Sequence, residues 1–228
     1  MVKPRNRSGE PSAGEQTRER IIEATLLTLR EEGIVGTSAR AIARRGDFNQ
    51  ALIFYHFGGI NDAVVAAVAE MSRRRMARYA ERLQSVGSLS ELVEMATELH
   101  REDVEQGTMT VLTQAFAGAG GDPTMGPALY ERLEPWLSTV EASLAAALGD
   151  RAVAGHLPLR DLGYAASALY LGIELLDALD PERGAPDTLF ETIGGLARVL
   201  EALLDTPLVQ GLLAPGDAGP DPSGTLGP

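Results

Sequence analysis

Apolar residues recur along most of this chain at intervals of three and four positions, the spacing that places them on one face of an α-helix. The first such stretch, Arg18–Glu32, stops at Gly33, a residue that accepts the positive φ common at helix C-termini. No stretch shows the alternation of a strand bounded by hairpin turns. We predict an all-α fold, with helices over residues 18–32, 38–45, 50–57, 61–84, 89–105, 109–117, 127–148, 159–179 and 188–204.

Two of these helices are short and are joined by a four-residue corner. Thr37 or Ser38 can cap the first of them, and Asn49 can cap the second. The corner contains Gly46 and Asp47, residue types that enter the left-handed backbone region at little or modest cost. This layout predicts a helix-turn-helix, whose second helix enters the major groove of DNA. The small core that would lock it comprises Ile42, Ala43, Phe48, Ile53 and Phe57, closed by Ile21, Ile22 and Leu29.

In this segment the chain resembles the TetR family of bacterial repressors. That family opens with a helix, a glycine, a Thr-Ser cap, an Ile-Ala pair, and a third helix that ends in an aromatic-aromatic-His-Phe run. The matching residues, within about positions 18–65, are Gly33, Thr37, Ser38, Ile42, Ala43, Phe54, Tyr55, His56 and Phe57. The later helices are similar to the family's ligand-binding and dimerisation domain in architecture only.

The resemblance implies contacts with double-stranded DNA. Hydroxyls and free N–H groups at the start of the second helix can hold a phosphate. Side chains at the start of the third helix can reach base edges, and arginines of the second helix can face the DNA backbone. The implied DNA-binding residues are Thr37, Ser38, Arg40, Arg44, Asn49, Gln50, Ala51, Leu52, Tyr55 and His56.

Three residues depart from the family pattern. Phe54 replaces a usual tyrosine, Ile60 replaces a usual lysine, and Asp47 replaces the usual corner glycine. Each change removes a phosphate-binding group or adds negative charge near DNA, so we expect weak or strongly salt-limited operator binding.

Composition adds an uneven distribution of charge. The net charge is −12, but residues 1–86 carry a net +4 and the remainder a net −16. A basic N-terminal part and an acidic C-terminal part favour phosphate contact at one end, although acidic surface also simply favours solubility.

The Pro- and Gly-rich ends predict a disordered basic arm over 1–15 and a disordered tail over 207–228, around a DNA-binding domain (16–61) and a helical domain (62–206).

Other classes of protein find little support. The chain has no cysteine, which excludes disulfides and thiolate metal sites. It has no apolar run of about 18 residues, and its N-terminus lacks the apolar core of a signal peptide, so we expect a cytoplasmic protein without a membrane partner. The three histidines lack metal-ligand spacing and no nucleophile–base pair is visible, so we expect no catalytic residues, metal or cofactor.

The C-terminal part carries polarizable and aromatic residues that suit an apolar or aromatic effector. Ordinary core packing is the alternative for each of them. Pro135 should kink its helix, the run Arg73–Arg75 should form a solvated face, and His100 should be half exposed. The candidate ligand-binding residues are Met95, Leu99, Met109, Thr113, Phe116, Tyr130, Trp136, Tyr164 and Tyr170.

The last two predicted helices, over 159–179 and 188–204, combine small and aliphatic residues in a way that favours pairing with a second copy. A two-fold dimer implies a palindromic operator with half-sites about 34–36 Å apart, or a multiple of that distance.

The sequence leaves three hypotheses about function. The first is a ligand-released dimeric repressor, the second a regulator-derived sensing protein that has lost operator binding, and the third, least supported, an all-helical enzyme.

Overall fold

The computed structural model describes residues 12–149, 151–177, 179 and 185–213, and all regular elements within them are helical. The predicted all-α fold is therefore confirmed for the described residues. The helices are α1 (Ala13–Gly36), α2 (Ala39–Gly46), α3 (Ala51–Phe57), α4 (Ile60–Gln84), α5 (Leu89–Gln106), α6 (Thr108–Ala119), α7 (Met125–Leu148), α8 (Leu159–Asp177), α9 (Ala185–Leu204) and α10 (Pro207–Leu213), with a 3-10 helix at Ala152–His156.

Both chain ends differ from the sequence-based expectation. The predicted arm extends to residue 15, but α1 begins at Ala13 because Ser12 and Glu15 form a capping box. The Ser12 hydroxyl accepts from the Glu15 amide at 3.3 Å, and the Ser12 amide donates to the Glu15 carboxylate at 2.7 Å. The rest of the arm, residues 1–11, lies outside the described residues.

The predicted disordered tail is wrong over its first seven residues, which form α10. Pro207 suits the first helical position, where its missing N–H costs nothing. The Gln210 side chain then donates to the Leu204 carbonyl at 2.7 Å, tying α10 back to α9. Residues 214–228 lie outside the described residues.

Gly33 breaks α1, as predicted from its position. Its φ of 68° and ψ of −178° leave helical geometry, and the chain resumes a short helical turn up to Gly36. The next amide, that of Ile34, donates to the Gln114 side chain of α6 at 2.8 Å. A Cβ at position 33 would lie 2.9 Å from the same Gln114 oxygen. Glycine therefore serves both the backbone angle and the close approach of α6.

The corner between α2 and α3 gives different tasks to Gly46 and Asp47. Asp47 takes the left-handed conformation, with φ 51° and ψ 59°, and its amide donates to the Ala43 carbonyl. Gly46 is required by space instead, since a Cβ there would lie 2.1 Å from the Phe48 ring. Arg20 of α1 donates to the Gly46 and Asp47 carbonyls at 2.8 and 2.9 Å, which holds the corner against α1.

Two buried clusters meet at the start of α4. The first, which we call the head core, joins α1, α2, α3 and α4 through Ile21, Ala24, Ile42, Ile53 and Ala63. The second, the central core, joins α1, α4, α6 and α7 through Leu29, Val64, Val68, Met109, Val111, Leu112, Ala115, Met125 and Leu129. Ile60 packs against both. The first three helices are thus fixed to the remainder through α4 and α1.

Within the described residues, no single helix has the length and apolar character to cross a membrane; α3 and α4 meet those criteria only as a pair, bent by 66°.

Replacing Gly46 with alanine tests the steric account of the corner. Gly46→Ala should lower the free energy of unfolding by about 1–3 kcal/mol, because the new methyl group displaces Phe48 from the head core. Asp47→Gly is the matched control and should change it by less than about 1 kcal/mol, since glycine accepts the same backbone angles. Urea unfolding followed by circular dichroism measures both. Equal effects of the two substitutions would contradict this account.

Candidate nucleic-acid interface and sensor core

The α3 helix divides sharply between a buried and an exposed side. Ile53 is completely buried in the head core, whereas Tyr55 is 82% exposed and Phe54 51% exposed. Leu52 and Phe57 are half-buried against the same core. A short helix that anchors one face and presents aromatic groups on the other is suited to docking on a partner surface.

The start of α3 is open to solvent. Asn49, Gln50 and Ala51 are exposed, and the Asn49 side chain accepts from the Ala51 amide at 2.9 Å. The cap position of α3 is Gln50, whose side chain makes no capping bond, and Asn49, the predicted cap, bonds the first helical amide from one residue further out. His56, near the other end, is half-buried and meets the Tyr55 ring edge-on at 5.0 Å between centroids. Of the predicted base-contacting residues, Leu52 is the one that also serves the core.

At the start of α2, the structure assigns separate tasks to the two hydroxyl residues. Ser38 is the cap, and its oxygen accepts from the Ala41 amide at 3.2 Å. Thr37 is buried and donates its hydroxyl proton to the Gly33 carbonyl at 2.7 Å, so that proton is not available to a phosphate. Arg40 is exposed, and no ion pair joins it to another described residue.

Arginines at the end of α2 form ion pairs with α1. Arg44 lies 3.2 Å from Glu32, and Arg45 lies 2.7 Å from Glu31 and 3.1 Å from Glu32. Hydrogen bonding to Arg45 lowers the pKa of Glu32. The Arg44 side chain stays 64% exposed, so a phosphate can approach it, but only in competition with Glu32.

The three residues that depart from the family pattern lie in different environments. Ile60 is half-buried between the two cores, so an apolar residue gains packing where a lysine would supply charge. Asp47 and Phe54 remain exposed. They place an acid and a ring without a hydroxyl beside the predicted DNA surface.

The nine predicted ligand-binding residues do not surround one cavity. Met95, Leu99, Trp136 and Tyr170 belong to a third buried cluster with Tyr79 and Leu83, and Met109 and Phe116 belong to the central core. Thr113 is half-buried and donates to the Met109 carbonyl at 2.9 Å. Tyr130 and Tyr164 are half exposed and line a separate surface cleft. A single pocket formed by all nine does not fit this arrangement.

An apolar cavity of about 350 Å³, open to solvent beside Leu169, Leu196 and Leu200, lies instead between α5, α7, α8 and α9. Of the predicted residues, only Tyr170 lines it. Leucine, isoleucine, valine and alanine side chains form most of its wall, together with the Phe190 ring. Such a space suits an apolar molecule of modest size. Its lining residues include Leu92, Val93, Leu144, Tyr170, Ile173 and Phe190.

Beside this cavity lies a buried ionic cluster that the sequence-based interpretation missed. Arg75 of α4, expected in a solvated face, is 7% exposed and lies 2.5 Å from Asp103 of α5. Tyr170 of α8 donates to the same carboxylate at 2.8 Å. Burial raises the pKa of Asp103, which Arg75 opposes, and burial also raises the pKa of Tyr170.

A second buried pair joins α5 to α8. His100, expected to be half exposed, is 7% exposed and its Nδ1 lies 2.6 Å from the Glu174 carboxylate. The hydrogen bond to Glu174 raises the pKa of His100, and the charges of Glu174, Asp177 and Asp187 add to it. A signal for both pairs exists in the sequence, because Glu174 is a lone acid in the apolar run LYLGIELL and His100 and Asp103 share one helical face.

Among the described residues, no three His, Asp or Glu side chains are placed so that they could share one metal ion.

Comparison with known proteins rests on structure. No protein-family model matches the sequence, and no curated protein matches it either. A TetR-family transcriptional regulator from Cytophaga hutchinsonii aligns with a TM-score of 0.68 and 17% identity, over 83% of this chain and 96% of its own. The fatty acid degradation regulator FadR from Bacillus halodurans aligns with a TM-score of 0.64 and 13% identity, over 82% and 96%.

A multidrug binding protein, EbrR, solved in complex with imidazole, aligns with a TM-score of 0.54 and 26% identity, over 74% of this chain and 87% of its own. These likenesses show that the chain has the all-α fold of TetR-type regulators. The family-level resemblance seen in the helix-turn-helix residues thus extends, as a fold, over most of the chain.

The His100–Glu174 pair predicts a pH dependence of stability. Because the pKa of His100 is raised in the folded chain, the pair's contribution is complete below the ordinary value of 6.5 and is lost as pH rises through the raised value. The free energy of unfolding should therefore fall with rising pH in this window, and His100→Gln should flatten the slope. His56→Gln, which leaves the pair intact, should keep it. An unchanged slope in His100→Gln would refute the assignment; urea unfolding across pH measures it.

Proposed function

We propose that this chain is a dimeric, DNA-binding transcriptional regulator whose hold on DNA responds to a small molecule. The observation that carries the proposal is the outward face of α3, anchored by a buried Ile53 and open at Gln50 and Tyr55. A helix-turn-helix uses such a face to enter the major groove. The shared fold with transcriptional regulators supports the same conclusion.

The DNA contacts divide by chemistry. Gln50 and Asn49 can hydrogen-bond adenine, and Ala51 can touch a thymine methyl group. Arg40, Tyr55 and the Ser38 end of α2 can contact phosphates, which set affinity and register but not sequence preference. We assign the DNA-binding domain to residues 16–61 and the sensing and dimerisation domain to 62–206, with α4 starting at their boundary.

Dimerisation is proposed to use α8 and α9. Large apolar side chains stand exposed on both helices, including Leu176 at 68% and Leu196 at 64%. Exposed apolar area of this extent favours burial against a partner. Leu169, Leu175, Val199, Leu200 and Leu203 are also exposed on these two helices. A two-fold pairing would present two α3 helices to a palindromic site.

The effector is proposed to enter the apolar cavity between α5, α8 and α9. EbrR, a neighbour in fold, is described as a multidrug binding protein. In this chain the cavity is bounded by the two proposed dimer helices, so an occupant can change how the protomers sit relative to each other. We propose that the effector releases the protein from DNA. The protein is therefore proposed to be a repressor when no effector is bound.

A second candidate is a sensing protein of the same fold that no longer binds an operator. Asp47, Phe54 and Ile60, with the net charge of −12, favour it. DNA selection from a random duplex pool separates the two candidates, because enrichment of one palindromic sequence supports the regulator and no enrichment supports the alternative.

Two substitutions test the DNA surface on the selected duplex. Arg40→Ala should weaken binding to all sequences and reduce the log–log salt slope by about 0.9, as expected for one lost phosphate contact. Gln50→Ala should keep the salt slope but lower discrimination between bases at one position by about 1–3 kcal/mol. Fluorescence anisotropy at several salt concentrations measures both effects.

Arg101→Ala is the matched control, because Arg101 is an exposed arginine on α5 paired with Asp187. It should leave affinity and slope near those of the unaltered protein. If Arg40→Ala matched this control, the proposed surface would be incorrect.

The dimer face is tested by the double substitution Leu176→Glu with Val199→Glu, two exposed positions that do not line the apolar cavity. Two buried charges at the proposed interface should convert the protein to monomers in sedimentation equilibrium, with helix content unchanged. Val104→Glu provides a control, because Val104 is 52% exposed on α5 and outside the proposed interface. A double variant that remains dimeric would show that another surface mediates assembly.

A further inference from the structure

Arg75 occupies a setting that proteins ordinarily build for a ligand cation. Its guanidinium carbon lies 4.0 Å from the centroid of the Trp136 ring and 5.6 Å from that of Tyr170. A guanidinium nitrogen lies 2.5 Å from the Asp103 carboxylate. Aromatic faces attract cations through the ring quadrupole, and a carboxylate adds a charge-assisted hydrogen bond. We call Trp136, Tyr170 and Asp103 the cation box.

The three members of the box come from three helices, α7, α8 and α5, and the occupant comes from a fourth, α4. Arg75 is not fully satisfied there, since its buried Nε has no hydrogen-bond partner among the described residues. A buried donor without an acceptor costs free energy. The box therefore holds Arg75 less favourably than a full set of partners would.

Charge around the box favours a cation. Arg75 is the only lysine or arginine among the buried residues that the structure describes, whereas Asp103 and Glu174 are both buried acids. If Arg75 left, Asp103 would keep its hydrogen bond from Tyr170 but would have no ion-pair partner among the described residues, because His100 bonds Glu174 instead. Because an uncompensated buried charge is costly, Arg75 can leave only when another cation replaces it.

The box and the apolar cavity share a wall. Tyr170 stacks near Arg75 and also lines the cavity, and its ring centroid lies 6.5 Å from that of Phe190 on the far side. Asp103 and Trp136 do not line this cavity, so a molecule whose apolar body fills it contacts Tyr170 directly and reaches Asp103 only by moving the Tyr170 hydroxyl that bonds it.

We propose that the effector is an organic cation with an apolar or aromatic body, and that it acts by displacing Arg75 from the cation box. This inference rests on the proposed function, because it names the effector class of that sensing site. Displacement removes the contacts of Arg75 with α5, α7 and α8, while Arg78 still bonds Gln106 of α5 and the start of α4 stays packed in the head core. The exchange therefore reaches the DNA-binding helices through α4.

The experiment uses the full chain and three matched probes: benzamidine, a planar cation; benzamide, its neutral isostere; and benzoate, an anion. Trp136 is the only tryptophan, so tryptophan emission reports directly on the box. Benzamidine should change that emission saturably and lower affinity for the selected duplex. Benzamide and benzoate should do neither at the same concentrations.

Arg75→Met removes the internal competitor and should tighten benzamidine binding about tenfold, since less of the protein then has the box closed. Because this variant leaves Asp103 buried without a counter-charge, Arg75→Met with Asp103→Asn restores neutrality and should fold but no longer prefer benzamidine over benzamide. Arg78→Met is the control, because Arg78 is exposed on the same helix and bonds Gln106; it should bind benzamidine as the unaltered protein does.

Equal binding of benzamidine and benzamide, or Trp136 emission that does not respond to benzamidine, would overturn the proposal. So would a charge-neutral double variant that keeps the preference for the cation. Failure of the proposed function looks different: no duplex is enriched by selection, yet benzamidine still alters Trp136 emission and Arg75→Met still tightens its binding.

Discussion

The structure depends on a single helix that belongs to two packed units. α4 begins with Ile60 between the head core and the central core and carries Arg75 into the ionic cluster of the C-terminal part. Its 25 residues span about 37 Å at ~1.5 Å per residue. A continuous helix of this length is stiff. We therefore expect a movement of α4 at Arg75 to move Ile60 as well. Contacts far from α3 therefore contribute to its position.

A second connection runs through α1 and α6. The Ile34 amide donates to Gln114, and Arg30 donates to the Glu105 carbonyl at 3.4 Å, so the end of α1 is fastened to α6 and to the end of α5. Since α1 also packs in the head core, the first three helices are held at two points. Two attachments of this kind favour rotation of the head as a rigid body over independent movement of α3.

The features that could be predicted from the sequence are those that the local pattern of residues determines. The helices, the break at Gly33 and the role of Ile53 follow from periodicity, glycine geometry and the two-sided character of a short helix. Burial of polar side chains could not be predicted in this way, because contacts between distant helices determine it. Arg75 has the local sequence of a surface arginine, and only the approach of three other helices buries it. His100 is ambiguous for the same reason. Gly46 and Asp47 are both predictable as corner residues, but the need for glycine at position 46 becomes visible only when the Phe48 ring is placed against it.

The central claim is that Arg75, through α4, sets where α3 lies. The most direct test is a distance between two protomers measured by pulsed electron spin resonance, with one label at Tyr55→Cys in this cysteine-free chain. Combining Tyr55→Cys with the neutral pair Arg75→Met and Asp103→Asn should shift or broaden the distance distribution relative to Tyr55→Cys alone. An identical, narrow distribution in both proteins would contradict the account.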